Sequence, residues 1–156
     1  LRSKTRGIMT ELDKCFRNGQ LKKSMPDIEK AKASLELAKK NLEDATVQFE
    51  NRSYRWAFVA SYASMFHAGR ALLYSDGVQE KSHFCLVVYL REKYGRSGKL
   101  DNGLITVLDA LREERHDVMY SVEKVTVKPG QVAFAITSAE RMIASVKKLL
   151  ESSGKA

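Results

Sequence analysis

The chain reads as an all-α protein, an antiparallel up-and-down bundle of four or five helices. Three observations predict it: apolar residues recur at steps of three and four along most of the 156 residues, only two prolines and nine glycines interrupt them, and β-branched runs are few. A composition of 44% hydrophobic and 29% charged residues fits one folded globular domain rather than a disordered or membrane-spanning chain.

The elements follow in order. A short helix is predicted over residues 4–17, with Ile8, Leu12 and Phe16 on one side and Asn18-Gly19 ending it. Ser24 is the expected cap of the next helix, with Pro26 and Asp27 in its first turn. Over residues 28–49 the seam Ile28, Ala31, Leu35, Ala38, Leu42, Ala45, Phe49 runs without a miss, so this helix needs a partner, in the same chain or another. Residues 53–74 are Ala-rich and apolar around most of the circumference, which predicts the most buried helix, with Trp56 and Tyr62 as core aromatics. Ser75-Asp76-Gly77 is a turn. A shorter helix over 82–94 stops at Gly95, and a solvated loop with Lys93, Arg96 and Lys99 leads into a helix over 101–120. Pro129 starts the last helix, which turns Val132, Ile136, Ala139, Ile143, Val146 and Leu150 inward before residues 151–156 fray.

The net charge of +8 is uneven: residues 1–24 hold seven basic side chains against two acidic ones. They read as a basic N-terminal extension ahead of a bundle over 25–156, either a solvated end or a handle for nucleic acid or acidic protein. Cys15 and Cys85 have no metal-ligand spacing and read as free thiols in a reducing compartment. With no secretory segment and no stretch long enough to span a bilayer, a cytoplasmic protein is expected.

One residue breaks the pattern. Along the helix over 101–120 the apolar stripe runs Leu104, Leu108, Leu111, then Arg115, then Val118. A guanidinium keeps its charge, so inside a bundle it needs a carboxylate, carbonyls, water or a phosphate opposite it. Other polar residues interrupt apolar faces or adjoin the site: His67, Arg70, Lys81, His83, His116 and Tyr120. Brought together, they would make a cationic pocket for a phosphate or nucleotide. The plainer alternative makes Arg115 and Arg70 internal struts paired with Asp117, Asp109 or carbonyls, and His67 a hydrogen-bonded core histidine. The three histidines are isolated, so no metal site is expected. Gly98-Lys99 lacks the spacing of a phosphate loop, no cofactor motif is present, and no Ser-His-Asp or Cys-His arrangement can be argued from spacing.

The segment AFVASYASMFHAGRALL, residues 57–73, resembles the signature helix of HEPN-domain proteins, in particular the branch of small stand-alone prokaryotic ones. Gly77-Val78 and Lys81-Ser82-His83 fit that branch, and Arg115-His116-Asp117-Val118-Met119-Tyr120 falls where the family has its arginine motif; the likeness covers residues 27–150. The resemblance implies a helical bundle that forms homodimers and pairs with a minimal nucleotidyltransferase, often as a toxin–antitoxin module. It also implies a metal-independent ribonuclease motif, Arg-polar-x-x-x-His, in a cleft at the dimer interface. Carried over, Arg115 matches the arginine, His116 falls at the polar position, and Tyr120 stands where the catalytic histidine belongs. A tyrosine with pKa about 10 is almost wholly protonated near pH 7 and makes a poor acid–base catalyst. The expectation is therefore a non-catalytic module binding a nucleotide, RNA or a partner protein. The alternatives are a ribonuclease using His116 or His83, and a structural interaction protein held through the seam over 28–49. By analogy Tyr120 is also a target for nucleotide transfer from the partner enzyme.

Overall fold

The computed structural model describes residues 7–153. Six α-helices and one small sheet make up the fold among them: α1 Glu11–Arg17, β1 Leu21–Lys23, α2 Ile28–Glu50, α3 Tyr54–Asp76, β2 Val78–Glu80, α4 His83–Leu90, α5 Asn102–Tyr120 and α6 Pro129–Ser152. A π-turn, Arg91–Gly95, extends α4. The all-α expectation holds, and the sheet is a three-residue antiparallel pair with Leu21 opposite Glu80 and Lys23 opposite Val78.

α3 is the axis, packing against α2, α6, α5 and α4. Its small residues explain this: Ala57, Ala68 and Ala71 are fully buried, and a Cβ on Gly69 would lie 2.8 Å from Leu90 Cδ1. The α2 seam finds its partner in the same chain. Ala31, Leu35, Ala38 and Ala45 are buried, and two serines stitch the pair, Ser34 Oγ donating to His67 O and Ser64 Oγ to Ala38 O, both at 2.8 Å. On α5 the stripe Leu104, Ile105, Leu108, Leu111 and Val118 faces the core.

Four expectations need correction. The first helix starts at Glu11, capped by Thr10, whose side chain accepts from Asp13 N; residues 4–6 of the expected helix lie outside the described residues. The cap of α2 is Asp27, accepting from Lys30 N at 3.0 Å, because the Ser24 amide is held by Gly77 O where the N-terminal segment crosses the α3–β2 turn. Trp56 is not core: it is 50% exposed, its ring beneath the Arg55 guanidinium at 5.2 Å. Cys15 and Cys85 are not free thiols but a disulfide, with their Cα atoms 5.8 Å apart. The described part of the basic N-terminal segment is thus folded: α1 and β1 form an arm lying on α4 and β2. Of residues 151–156, where fraying was expected, Glu151 and Ser152 continue α6, and residues 154–156 are outside the described region. Among the described residues no helix is long and apolar enough to cross a membrane.

Candidate functional site

α3, the strap from Glu80 to His83, and α5 enclose a cavity of about 450 Å³ lined by Tyr62, Phe66, His67, Arg70, Glu80, Lys81, His83, Arg115 and Met119, with Val59 and Ala63 as apolar wall. A second cavity of about 460 Å³ adjoins it, lined by Ser82, His83, Phe84, Arg112, Glu113, Arg115, His116 and Asp117. His83 and Arg115 line both and form the ridge between them.

Arg115 occupies an apolar position of α5, and so its side chain is carried toward α3. Its guanidinium carbon stands 5.1 Å from the centroid of the Tyr62 ring, and Nη1 lies 3.7 Å from Met119 Sδ, a weak acceptor. Nε is buried without a hydrogen-bond partner. Among the described residues no carboxylate pairs with Arg115; Asp109, one candidate strut, instead takes Arg112 Nε at 2.9 Å.

His83 opens α4 just after the cap Ser82, which accepts from Cys85 N. Its ring stacks on Phe66 with centroids 4.1 Å apart, and Nδ1 lies 2.7 Å from the Tyr62 hydroxyl. Burial holds the Tyr62 phenol up to about 12, partly opposed by Arg115, so it remains protonated at neutral pH. Which of the two donates in this bond follows the His83 tautomer. Burial first, and Arg115 next, lower the His83 pKa, which keeps the ring neutral near pH 7. His83 thus places a neutral imidazole beside the guanidinium.

The remaining candidates divide. Arg70 lines the first cavity but is paired: its Nε donates to Glu80 Oε1, a carboxylate whose side chain is only 7% exposed, and its guanidinium lies over Tyr74. It is the strut that Arg115 is not. His67 also lines the cavity, with Nδ1 buried and unpartnered, and burial and Arg70 lower its pKa. Lys81 is exposed, and the neighbouring Lys22 lowers its pKa. His116 lies on the outer rim of the second cavity, 70% exposed in its side chain. Tyr120 lines neither cavity: it is 62% exposed, its ring tilted against His116 at 5.2 Å. Glu80, Phe66, Tyr62 and Arg112 escaped the sequence reading as site residues. Glu80 had a weak signal, an acidic residue directly before Lys81 and three before His83.

A ridge with a neutral imidazole and a guanidinium that no carboxylate pairs with among the described residues, open on both sides, is suited to holding an anion; the described residues contain no cluster fit to hold a metal ion. The HEPN-domain family model matches residues 31–150. A protein of Methanocaldococcus jannaschii, named "Putative toxin", is 26% identical over 123 residues, covering 79% of this chain and 90% of that protein. With the match spanning most of the sequence, the chain belongs to the HEPN-domain family.

Proposed function

We propose that this HEPN-domain protein is a non-catalytic binding module whose Arg115–His83 ridge receives a phosphate group of a nucleotide or RNA. The observation carrying this reading is the Arg115 guanidinium, seated on Tyr62 inside a cavity with its Nε unpartnered and no carboxylate beside it. A phosphate oxygen there would accept from the guanidinium and, in the tautomer with its proton on Nε2, from His83, replacing hydration lost on burial. We further propose that the module is the HEPN half of a toxin–antitoxin pair with a minimal nucleotidyltransferase in the cytoplasm; the name of its relative supports the toxin part of that reading. We also propose that it works as a homodimer. Exposed Trp56, Tyr120 and Val122 lie around the end of α5, where Arg55 Nε holds Val118 O at 3.1 Å, and offer an apolar surface to a second copy.

Fluorescence anisotropy with a labelled eight-nucleotide single-stranded RNA, competed by AMP and by inorganic phosphate, tests the site. Binding by the native protein that is lost in Arg115→Met supports it; equal binding by the variant defeats it.

A second reading is a metal-independent ribonuclease in which His83, beside Arg115, replaces the motif histidine. The favouring observation is that the two side chains share both cavities. Against it, burial and Arg115 lower the His83 pKa, which makes the ring a weaker base. RNA cleavage in EDTA, abolished by both Arg115→Met and His83→Ala, would establish this reading in place of the first.

A further inference from the structure

The strap from Glu80 to His83 supplies four lining residues, and it is held in place by the N-terminal arm. β1 pairs with β2, Gln20 O accepts from Lys81 N at 2.9 Å, and Cys15 is bonded to Cys85 in the first turn of α4, two residues beyond His83. The arm, residues 11–23, lies wholly outside the stretch matched by the family model. It is stapled onto the part of the chain that shapes the anion site.

Otherwise the arm is held by Leu21 and by Leu12 and Phe16, packed partly buried against the core. α1 has seven residues and the sheet has two strands of three, each marginal in isolation. Leu21 and Cys15 are its fully buried side chains. The ammonium groups of Lys22 and Lys81 crowd each other across the junction. The disulfide, closing a separation of 70 residues, is the covalent restraint on the arm among the described residues.

We infer that the Cys15–Cys85 disulfide is a redox latch that orders the strap and so regulates the anion site. A dithiol reductant opens it by thiol–disulfide exchange: the Sγ–Sγ bond breaks, two electrons and two protons pass to the cysteines as thiols, and the reductant closes its own disulfide. The freed arm leaves β2, and the strap loses its amide partners. Glu80 then no longer holds Arg70 in place, and His83 no longer sits fixed on Phe66. A strap ordered about a tenth of the time weakens apparent affinity about tenfold.

This inference rests on the anion-site reading, and two measurements on the full chain separate them. Hydrogen exchange of amides 80–85 is followed with and without dithiothreitol, alongside anisotropy with the eight-nucleotide RNA. The expected result is faster exchange in the strap and binding about tenfold weaker after reduction, both reversed on reoxidation. Cys15→Ser should match the reduced native protein and ignore the reductant. Strap exchange that is the same in both redox states, or equal RNA affinity in both, overturns the latch. If the oxidised protein binds no RNA, the anion-site reading fails by itself, and exchange in the strap decides the latch alone: reductant-dependent exchange sustains it, and unchanged exchange refutes it.

Discussion

Replacing Arg115 with methionine should stabilise the free protein while abolishing its binding. The buried Nε has no partner, and an unsatisfied buried donor costs about 1–3 kcal/mol. The cation over the Tyr62 ring at 5.1 Å returns about 0.5–2 kcal/mol. Methionine keeps the apolar stem and the contact with Tyr62 while removing the charge, so the difference is a gain of about 1 kcal/mol, the direction expected when an uncompensated charge leaves an interior. For a chain of 156 residues that raises Tm by about 3 °C. The assay is urea denaturation in a buffer free of phosphate and other multivalent anions, repeated with the eight-nucleotide RNA. Saturating ligand at 100 times Kd adds about 2.7 kcal/mol to the native protein alone, so the order of stability inverts. Two outcomes refute the reasoning: a loss above about 1 kcal/mol without ligand, which would make Arg115 a structural strut, or equal stabilisation of both proteins by RNA.

Other consequences are open to direct measurement. Burial depresses the pKa of both His67 and His83, so the unfolded chain binds the extra protons; their contribution to stability is complete above about pH 6.5 and is lost on acidification. Melting temperatures between pH 8 and 5 should fall, and less steeply in the His67→Gln/His83→Gln double variant. RNA affinity should instead rise below about pH 6.5, because a charged His83 strengthens the ridge; affinity independent of pH would count against His83 as a contact. Glu80→Gln removes the charge that balances Arg70, adding a net positive charge to the cavity, so calorimetry should show tighter RNA binding, and denaturation a cost of about 1–3 kcal/mol with Glu80 buried and Arg70 partly exposed. Gly77 has φ +76°, and a Cβ there would lie 2.6 Å from Ser24 O, so Gly77→Ala should destabilise by about 2 kcal/mol or more, read as a lower Tm.

Much of this fold was legible because long helices write a periodic record. Ile28 to Phe49 and Leu104 to Val118 repeat their apolar steps often enough to place α2 and α5 within a residue or two of their observed ends. The β1–β2 pair was not legible: three residues are too few to display a period of two, and the partners are far apart in sequence. Nor was the disulfide, since Cys15 and Cys85 are neighbours only after the arm has docked. Trp56 was misplaced because an Ala-rich apolar stretch gives no azimuth, so hydrophobicity alone could not say which residue faces out. The misplaced charge of Arg115 was visible in the stripe. The different fates of Arg115 and Arg70 were not, because only the Glu80 side chain, arriving from β2, separates a paired arginine from an unpaired one.

The arm comes first in the chain yet docks onto elements that come later. At a synthesis rate of about 5–20 residues per second, the 70 positions between the two cysteines take roughly 4–14 seconds to leave the ribosome. Throughout that interval Cys15 is a thiol without a mate, and Leu21 lacks the strand it will lie beside. The nascent polypeptide thus reaches its final covalent form only after α4 has emerged, so the cellular redox environment acts on a domain whose helical framework is already under construction.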